Sequence, residues 1–170
     1  MYQRILVPVD GSSTSDHGLD EAIRIAKLTQ GRIRLFHVID DLSFALALGS
    51  EPRHADDLLK QLRSEGSRIL DEAQATVQAA GVDVDTCLGD NFPGSVQDKV
   101  AAEAVDWGAE LIVLGTHGRR GAARLILGSG AERILRQAPV PVLLVRAPAG
   151  KDAAAELLRA SASVAAMAAA

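Results

Sequence analysis

Two hydrophobic periods alternate along the chain. Apolar residues run almost unbroken through Arg4–Val9 (RILVPV), Glu110–Leu114 (ELIVL) and Pro139–Val145 (PVPVLLV), the pattern of parallel strands buried on both faces. Arg32–Ile39 sets Ile33, Leu35 and His37 on one face, and Val82–Leu88 alternates with period two, so both read as strands. Between these segments the period lengthens to that of a helix. Leu19, Ala22, Ile23 and Ala26 make one stripe. Leu58, Leu62, Ile69, Ala73, Val77 and Ala80 make a second, across residues 55–80. Val96, Val100, Ala104 and Trp107 make a third, across 95–107, and Ser129–Gln137 reads as a fourth helix. Ser13 with Asp16, and Ser129 with Glu132, have capping-box spacing, and Gly31 and Gly81 are helix stops. Residues 40–54 are the longest irregular stretch. Their apolar patch, Leu42–Leu48, is expected to pack on the second helix rather than to fold over a ligand.

The order βαβαβαβαβ predicts an α/β fold, a doubly wound five-stranded parallel sheet with helices on both faces. In a 3-2-1-4-5 strand order, ligands bind outside the carboxyl ends of strands one and four, where the winding reverses. Asp10 and Gly115 would meet there.

Composition narrows the partners. The 170 residues suit one domain, and 48% hydrophobic with 24% charged residues is ordinary for a globular chain. Aromatics make up only 3% and the net charge is −4, so neither a basic stripe nor stacking platforms point to a nucleic acid. Cys87 is the single cysteine, which fits a reducing compartment. MYQRILVPVD does not read as a secretory leader, and the uncharged run 160–170 is too short to span a bilayer. A cytoplasmic location away from membranes is therefore expected. Residues 1–146 form the domain, and 147–170 an alanine-rich tail, frayed or docked as a helix.

The chemistry concentrates between residues 115 and 130, which hold five glycines. Such a segment lets backbone approach a ligand closely. Gly128-Ser129 opens a helix whose unpaired N–H groups favour an anion, and the Ser129 hydroxyl can donate to a phosphate oxygen. No Walker-type G-x-x-x-x-G-K-[ST] occurs. The first βα turn, Asp10-Gly11-Ser12-Ser13, is not a dinucleotide G-x-G-x-x-G, and no Cys/His set has zinc spacing.

Gly115-Thr116-His117-Gly118 continuing to Gly128-Ser129 has the spacing G-x2-G-x9-G-S. It resembles the ATP-binding motif of the universal stress protein family. The ILVPVDGS start, the GTHGR core, the LILGS stretch and the PVPVLLVR ending fall in that family's order across residues 1–146. The resemblance implies the 3-2-1-4-5 sheet, ATP with Mg²⁺ as ligand, and a homodimer. It implies that Pro8, Val9 and Asp10 line the pocket, with Asp10 on the ribose or on a phosphate-bound Mg²⁺. Val38 would flank the adenine, and Leu114 and Gly115 the sugar. Gly118, Gly128, Ser129 and Gly130 would hold the phosphates. Gly130 stands where the family often has a small apolar residue, which loosens the helix entry.

Plainer readings stand beside these. Ser129 with Glu132 could serve only as a cap, and Asp10 could only close its turn. His117 reads as loop packing, Arg119 and Arg120 as solvated charge, His37 as a packed strand residue, and Cys87 as a buried inert thiol. Pro139 and Pro141 place strand five at a sheet edge. The apolar run Val140, Val142, Leu143, Leu144 then needs cover, which a twofold copy would supply. A regulatory ATP-binding dimer acting in stress response is the leading expectation. A slow Mg²⁺-dependent ATP hydrolase or nucleotidyl transferase is the alternative, with hydrolysis expected to be slow or absent because the sequence offers no convincing water-positioning base.

Overall fold

Nine elements make up the described residues, 1–39, 52–90, 94–116 and 128–146 of a computed structural model. The strands are β1 (Arg4–Pro8), β2 (Arg32–Val38), β3 (Asp83–Gly89), β4 (Leu111–Gly115) and β5 (Val142–Val145). The helices are α1 (Ser13–Thr29), α2 (Pro52–Ala79), α3 (Val96–Asp106) and α4 (Ser129–Gln137). The Leu42–Leu48 patch, residues 117–127 with His117, Gly118, Arg119 and Arg120, and the 147–170 tail lie outside the described residues.

All strands are parallel, in the order β3-β2-β1-β4-β5. This is the expected doubly wound sheet, and its two faces follow from the period-two alternation. Ile5, Val7, Ile33, Leu35, Leu111 and Val113 point to one face and are closed over by α1 and α2 through Leu19, Ala22, Ile69 and Val77. Leu6, Phe36, Ile112 and Leu114 point to the other, under Val100 and Ala104 of α3 and Ile134 of α4. The central strands β1 and β4 are buried on both faces, which is why they read as unbroken apolar runs.

Element ends differ from the sequence pattern in instructive ways. The cap of α1 is Ser12, whose hydroxyl accepts from Ser15 N–H at 3.2 Å; Ser13 is already helical. Three of the four residues after Gly11 are serines, so pattern alone could not choose among their hydroxyls. Likewise Ser129 is the first helical residue of α4, whose N-cap is Gly128, and no side chain caps that helix. Glu132 instead pairs with Arg136 one turn on, at 3.0 Å. The left-handed residue that ends α1 is Gln30 (φ 55°), one before Gly31. A real capping box that the pattern missed opens α3, where Ser95 and Asp98 exchange side-chain and backbone bonds. The Ser95 hydroxyl holds the Asp98 carboxyl below its ordinary range. Strand β5 is shorter than expected, because Pro139 and Pro141 precede it. The Pro141 carbonyl still accepts from Ile112 N–H at 3.0 Å.

At the β3 edge the α3 face of the sheet carries charge instead of apolar groups. Arg34 donates to Asp85 at 2.6 and 3.0 Å and to Glu103 at 2.9 Å, while Arg32 reaches Asp85 at 2.7 Å. The ring of Trp107 lies beneath both guanidiniums, 4.9 Å from Arg34 and 5.7 Å from Arg32. Burial works to raise the Asp85 carboxyl, but the hydrogen bonds and charges of Arg34 and Arg32 outweigh it and hold it low. Cys87 lies beside this network, its Sγ 3.6 Å from Glu103. Burial first, and then the Glu103 carboxylate, push its thiol up to about 11, so the reading of Cys87 as unreactive agrees with its surroundings.

Candidate functional site

The carboxyl ends of β1 and β4 are brought together by backbone packing. A Cβ on Gly115 would lie 2.7 Å from the Thr14 carbonyl carbon, and a Cβ on Gly18 would lie 3.0 Å from Gly115 N. Only glycine lets the end of β4 pass this close to the first turn of α1. The turn between β1 and α1 therefore sits directly beside Gly115.

That turn is held at every step. Val9 N–H donates to the Phe36 carbonyl at 2.9 Å, one residue past the β1–β2 ladder. The Val9 carbonyl lies 2.7 Å from Nδ1 of His37, which is buried at 8% exposure. A carbonyl only accepts, so this ring nitrogen carries a proton. Asp10 follows, half-buried, and its Oδ1 accepts from Ser12 N–H at 3.0 Å. Gly11 turns the chain with φ 75°, and Ser12 caps α1. Asp10 thus does close its turn, as the plainer reading had it, with its carboxylate at the rim of the sheet.

From the other side, Thr116 N–H donates to the Val145 carbonyl at 2.9 Å, and the Thr116 carbonyl accepts from Gly128 N–H at 2.8 Å. This last bond returns the chain to the end of β4 just where α4 starts. Ser129 and Gly130 are exposed, and a Cβ on Gly130 would meet nothing within 4 Å. The first turn of α4 therefore opens outward without a side-chain cap, with its N–H donors and the positive end of the helix dipole on the rim.

The sequence-derived residues fall accordingly. Pro8, Val9 and Asp10 end β1, Val38 ends β2, Leu114 and Gly115 end β4, and Gly128, Ser129 and Gly130 open α4. All lie along one rim of the sheet. Leu114 is buried in the α3/α4 core, so it supports the rim from below. Gly118 lies outside the described residues. Sequence reasoning missed Thr14, Ser15 and Thr116, whose backbone or hydroxyl groups fix the rim, as Ser15 Oγ does 3.4 Å from Asp10 N. The Ser-Ser-Thr-Ser run behind Asp10-Gly11 was the available signal. Lys99 of α3 also reaches this rim, donating to the Ile39 carbonyl at 3.4 Å.

A groove of about 590 Å³ lies on the other side of Val9, between α1 and α2. Asp16, Asp20 and Glu72 line it, and its Arg68 is already bonded to Glu65 and Glu72. Its carboxylates oppose an anion. Among the described residues no cluster of three or more potential ligands could hold a metal by itself, and no helix is long and apolar enough to cross a membrane.

Comparison with known proteins agrees with this architecture. The sequence profile described as the universal stress protein family matches residues 1–146. Universal stress protein MJ0531 of Methanocaldococcus jannaschii is 32% identical over 149 residues, 87% of this chain and 84% of that protein. A crystal structure of a universal stress protein family member from Burkholderia pseudomallei is 35% identical, with a TM-score of 0.68, covering 86% of this chain and 97% of that one. Two more distant structures share the fold. A universal stress protein in complex with cAMP is 24% identical (TM-score 0.60, covering 85% and 97%). A family protein from Arabidopsis thaliana with AMP bound is 16% identical (TM-score 0.62, covering 86% and 93%).

Proposed function

Because this chain belongs to the universal stress protein family, we propose that it binds ATP at the β1/β4 rim and acts as a nucleotide-dependent regulatory dimer. The observation that carries this reading is the convergence of three features. Gly115 packs on Thr14, the Asp10 turn lies beside it, and the uncapped start of α4 is tied back by the Gly128–Thr116 bond. Closely packed backbone beside an exposed helix N-terminus suits a phosphate chain. The adenine nucleotides bound by the cAMP and AMP structures make this chemical class the first to test.

In this reading Val38 flanks the adenine, Pro8, Val9 and Gly115 border the base and sugar with Leu114 beneath them, and Gly118, Gly128, Ser129 and Gly130 receive the phosphates. Mg²⁺ typically takes one or two carboxylates and completes its shell with phosphate oxygens and water. A single half-buried Asp10 at the rim fits that demand, and the metal would then screen the charge of the phosphates. The chain's own residues orient and hold the nucleotide, and hydrolysis is slow or absent. The second copy pairs along β5, which among the described strands is an edge paired with β4, with Val140, Val142 and Leu144 at the seam. Val142 and Leu144 also pack half-buried against the α3/α4 core, so a partner would extend that core.

Isothermal titration with Mg·ATP, on nucleotide-free protein, tests the site. Saturable binding that is lost in Gly118→Val/Ser129→Ala is expected. No binding by the native chain would leave the family fold standing without its nucleotide. Light scattering on the eluting protein should give the mass of two chains, and monomer alone would remove the dimer.

A further inference from the structure

We infer that His37 is a positioning residue for the nucleotide site, and that Gly66 of α2 exists to admit its ring. The inference rests on the nucleotide-binding reading above. His37 acts through Val9, whose carbonyl takes the Nδ1 proton at 2.7 Å while the Val9 N–H is bound to Phe36 at 2.9 Å. Both polar backbone groups of the residue before Asp10 are therefore fixed to β2. The peptide that launches the Asp10 turn has one orientation available, and the Oδ1 bond to Ser12 carries that orientation into the cap of α1.

The opposite side of the ring supplies an independent observation. Gly66 lies buried within a 28-residue helix, where glycine is the poorest helix former after proline. A Cβ at this position would lie 2.9 Å from His37 Cδ2 and 2.8 Å from Leu88 Cδ1. The helix gives up local propensity where the imidazole presses against it. The ring is thus clamped between α2 and the Val9 carbonyl, and α2 sets where Asp10 stands.

The test uses His37→Leu, His37→Asn and Gly66→Ala in the full chain, with Mg·ATP affinity and nucleotide-free melting temperature measured for each. Asparagine retains an N–H donor near the Nδ1 position. His37→Leu and Gly66→Ala should each lose about tenfold or more in affinity, and His37→Asn should recover most of it. In Gly66→Ala the gain in helix propensity offsets the pressure on His37 and Leu88, so an affinity loss with an unchanged melting temperature marks positioning. Affinity unchanged in both His37→Leu and Gly66→Ala would overturn the inference.

Two readouts need no nucleotide. In ¹⁵N spectra of the native chain the His37 Nδ1 should be protonated and slow to exchange, and the amides of Asp10–Ser12 should exchange faster in His37→Leu. An unprotonated Nδ1, or unchanged exchange, would overturn the positioning role. If the native chain binds no adenine nucleotide while these two signatures hold, the proposed function fails and the His37–Val9 clamp stands.

Discussion

The β1/β4 rim and the β3 edge solve opposite problems with opposite materials. At the rim the chain thins its side chains: Gly18 and Gly115 let α1 and β4 approach backbone to backbone, and most of the bonds around them are made to peptide groups by short hydroxyls, other peptides, the Asp10 carboxylate and the His37 ring. At the edge it fills space with long charged side chains, as Arg32 and Arg34 bridge Asp85 and Glu103 over Trp107. The contrast shows that close backbone approach is made by omission, whereas a half-covered sheet edge is protected by addition. The rim should therefore fail when an atom is inserted, and the edge when a charge is removed.

The largest effect is expected from Gly115→Val. Its branched side chain would enter the Thr14 carbonyl, and overpacking of this kind costs about 1–3 kcal/mol or more. Urea denaturation should show that loss, together with loss of Mg·ATP binding. A stable variant that still binds would mean that the rim is softer than its packing implies.

Asp85→Asn breaks the edge instead. Losing charge-assisted bonds to two arginines should cost about 1–3 kcal/mol at pH 7 and leave nucleotide affinity intact. The sign with pH follows from the direction of the shift. The folded carboxyl is held below its unfolded value, so its contribution is present above that unfolded value and fades as pH falls through the folded one. The native and Asp85→Asn stabilities should accordingly converge in acid. A gap that stayed constant from neutral pH into acid would assign the loss to packing.

Ser12→Ala should give the smallest effect, about 1 kcal/mol from the lost cap. It sharpens the comparison because Asp10 is bound to the Ser12 backbone N–H, which alanine keeps, so stability should fall while affinity holds. Ser13→Ala should change neither appreciably.

Burial on both faces wrote itself directly into the sequence of β1 and β4; helix–strand alternation with right-handed crossovers narrowed the strand order to a few, and the family resemblance chose among them. Residues whose role depends on partners far along the chain left little trace. Arg34 and Asp85 read as ordinary polar positions of two strands until β2 and β3 pair in register. Gly66 carries no mark of its role in the sequence, since only the tertiary packing sets it against His37 and Leu88. The caps slipped by one residue at Ser12/Ser13 and Gly128/Ser129, because neighbouring hydroxyls or glycines compete and the backbone angle decides. Among the proposed site residues, the glycines and Asp10 stood out by type. Thr116 works through backbone atoms that every residue possesses, so no letter of the sequence could mark it.

The meeting of Gly18 with Gly115 also constrains how this sequence can vary. A Cβ on either residue is aimed at the other's segment, Gly115 N in one case and Thr14 in the other. A gain of volume at one position cannot be relieved by trimming the other, which has nothing left to lose. The two sites are closed to stepwise exchange, and drift in this domain must run through the helix surfaces and the charged edge, where one long side chain can replace another.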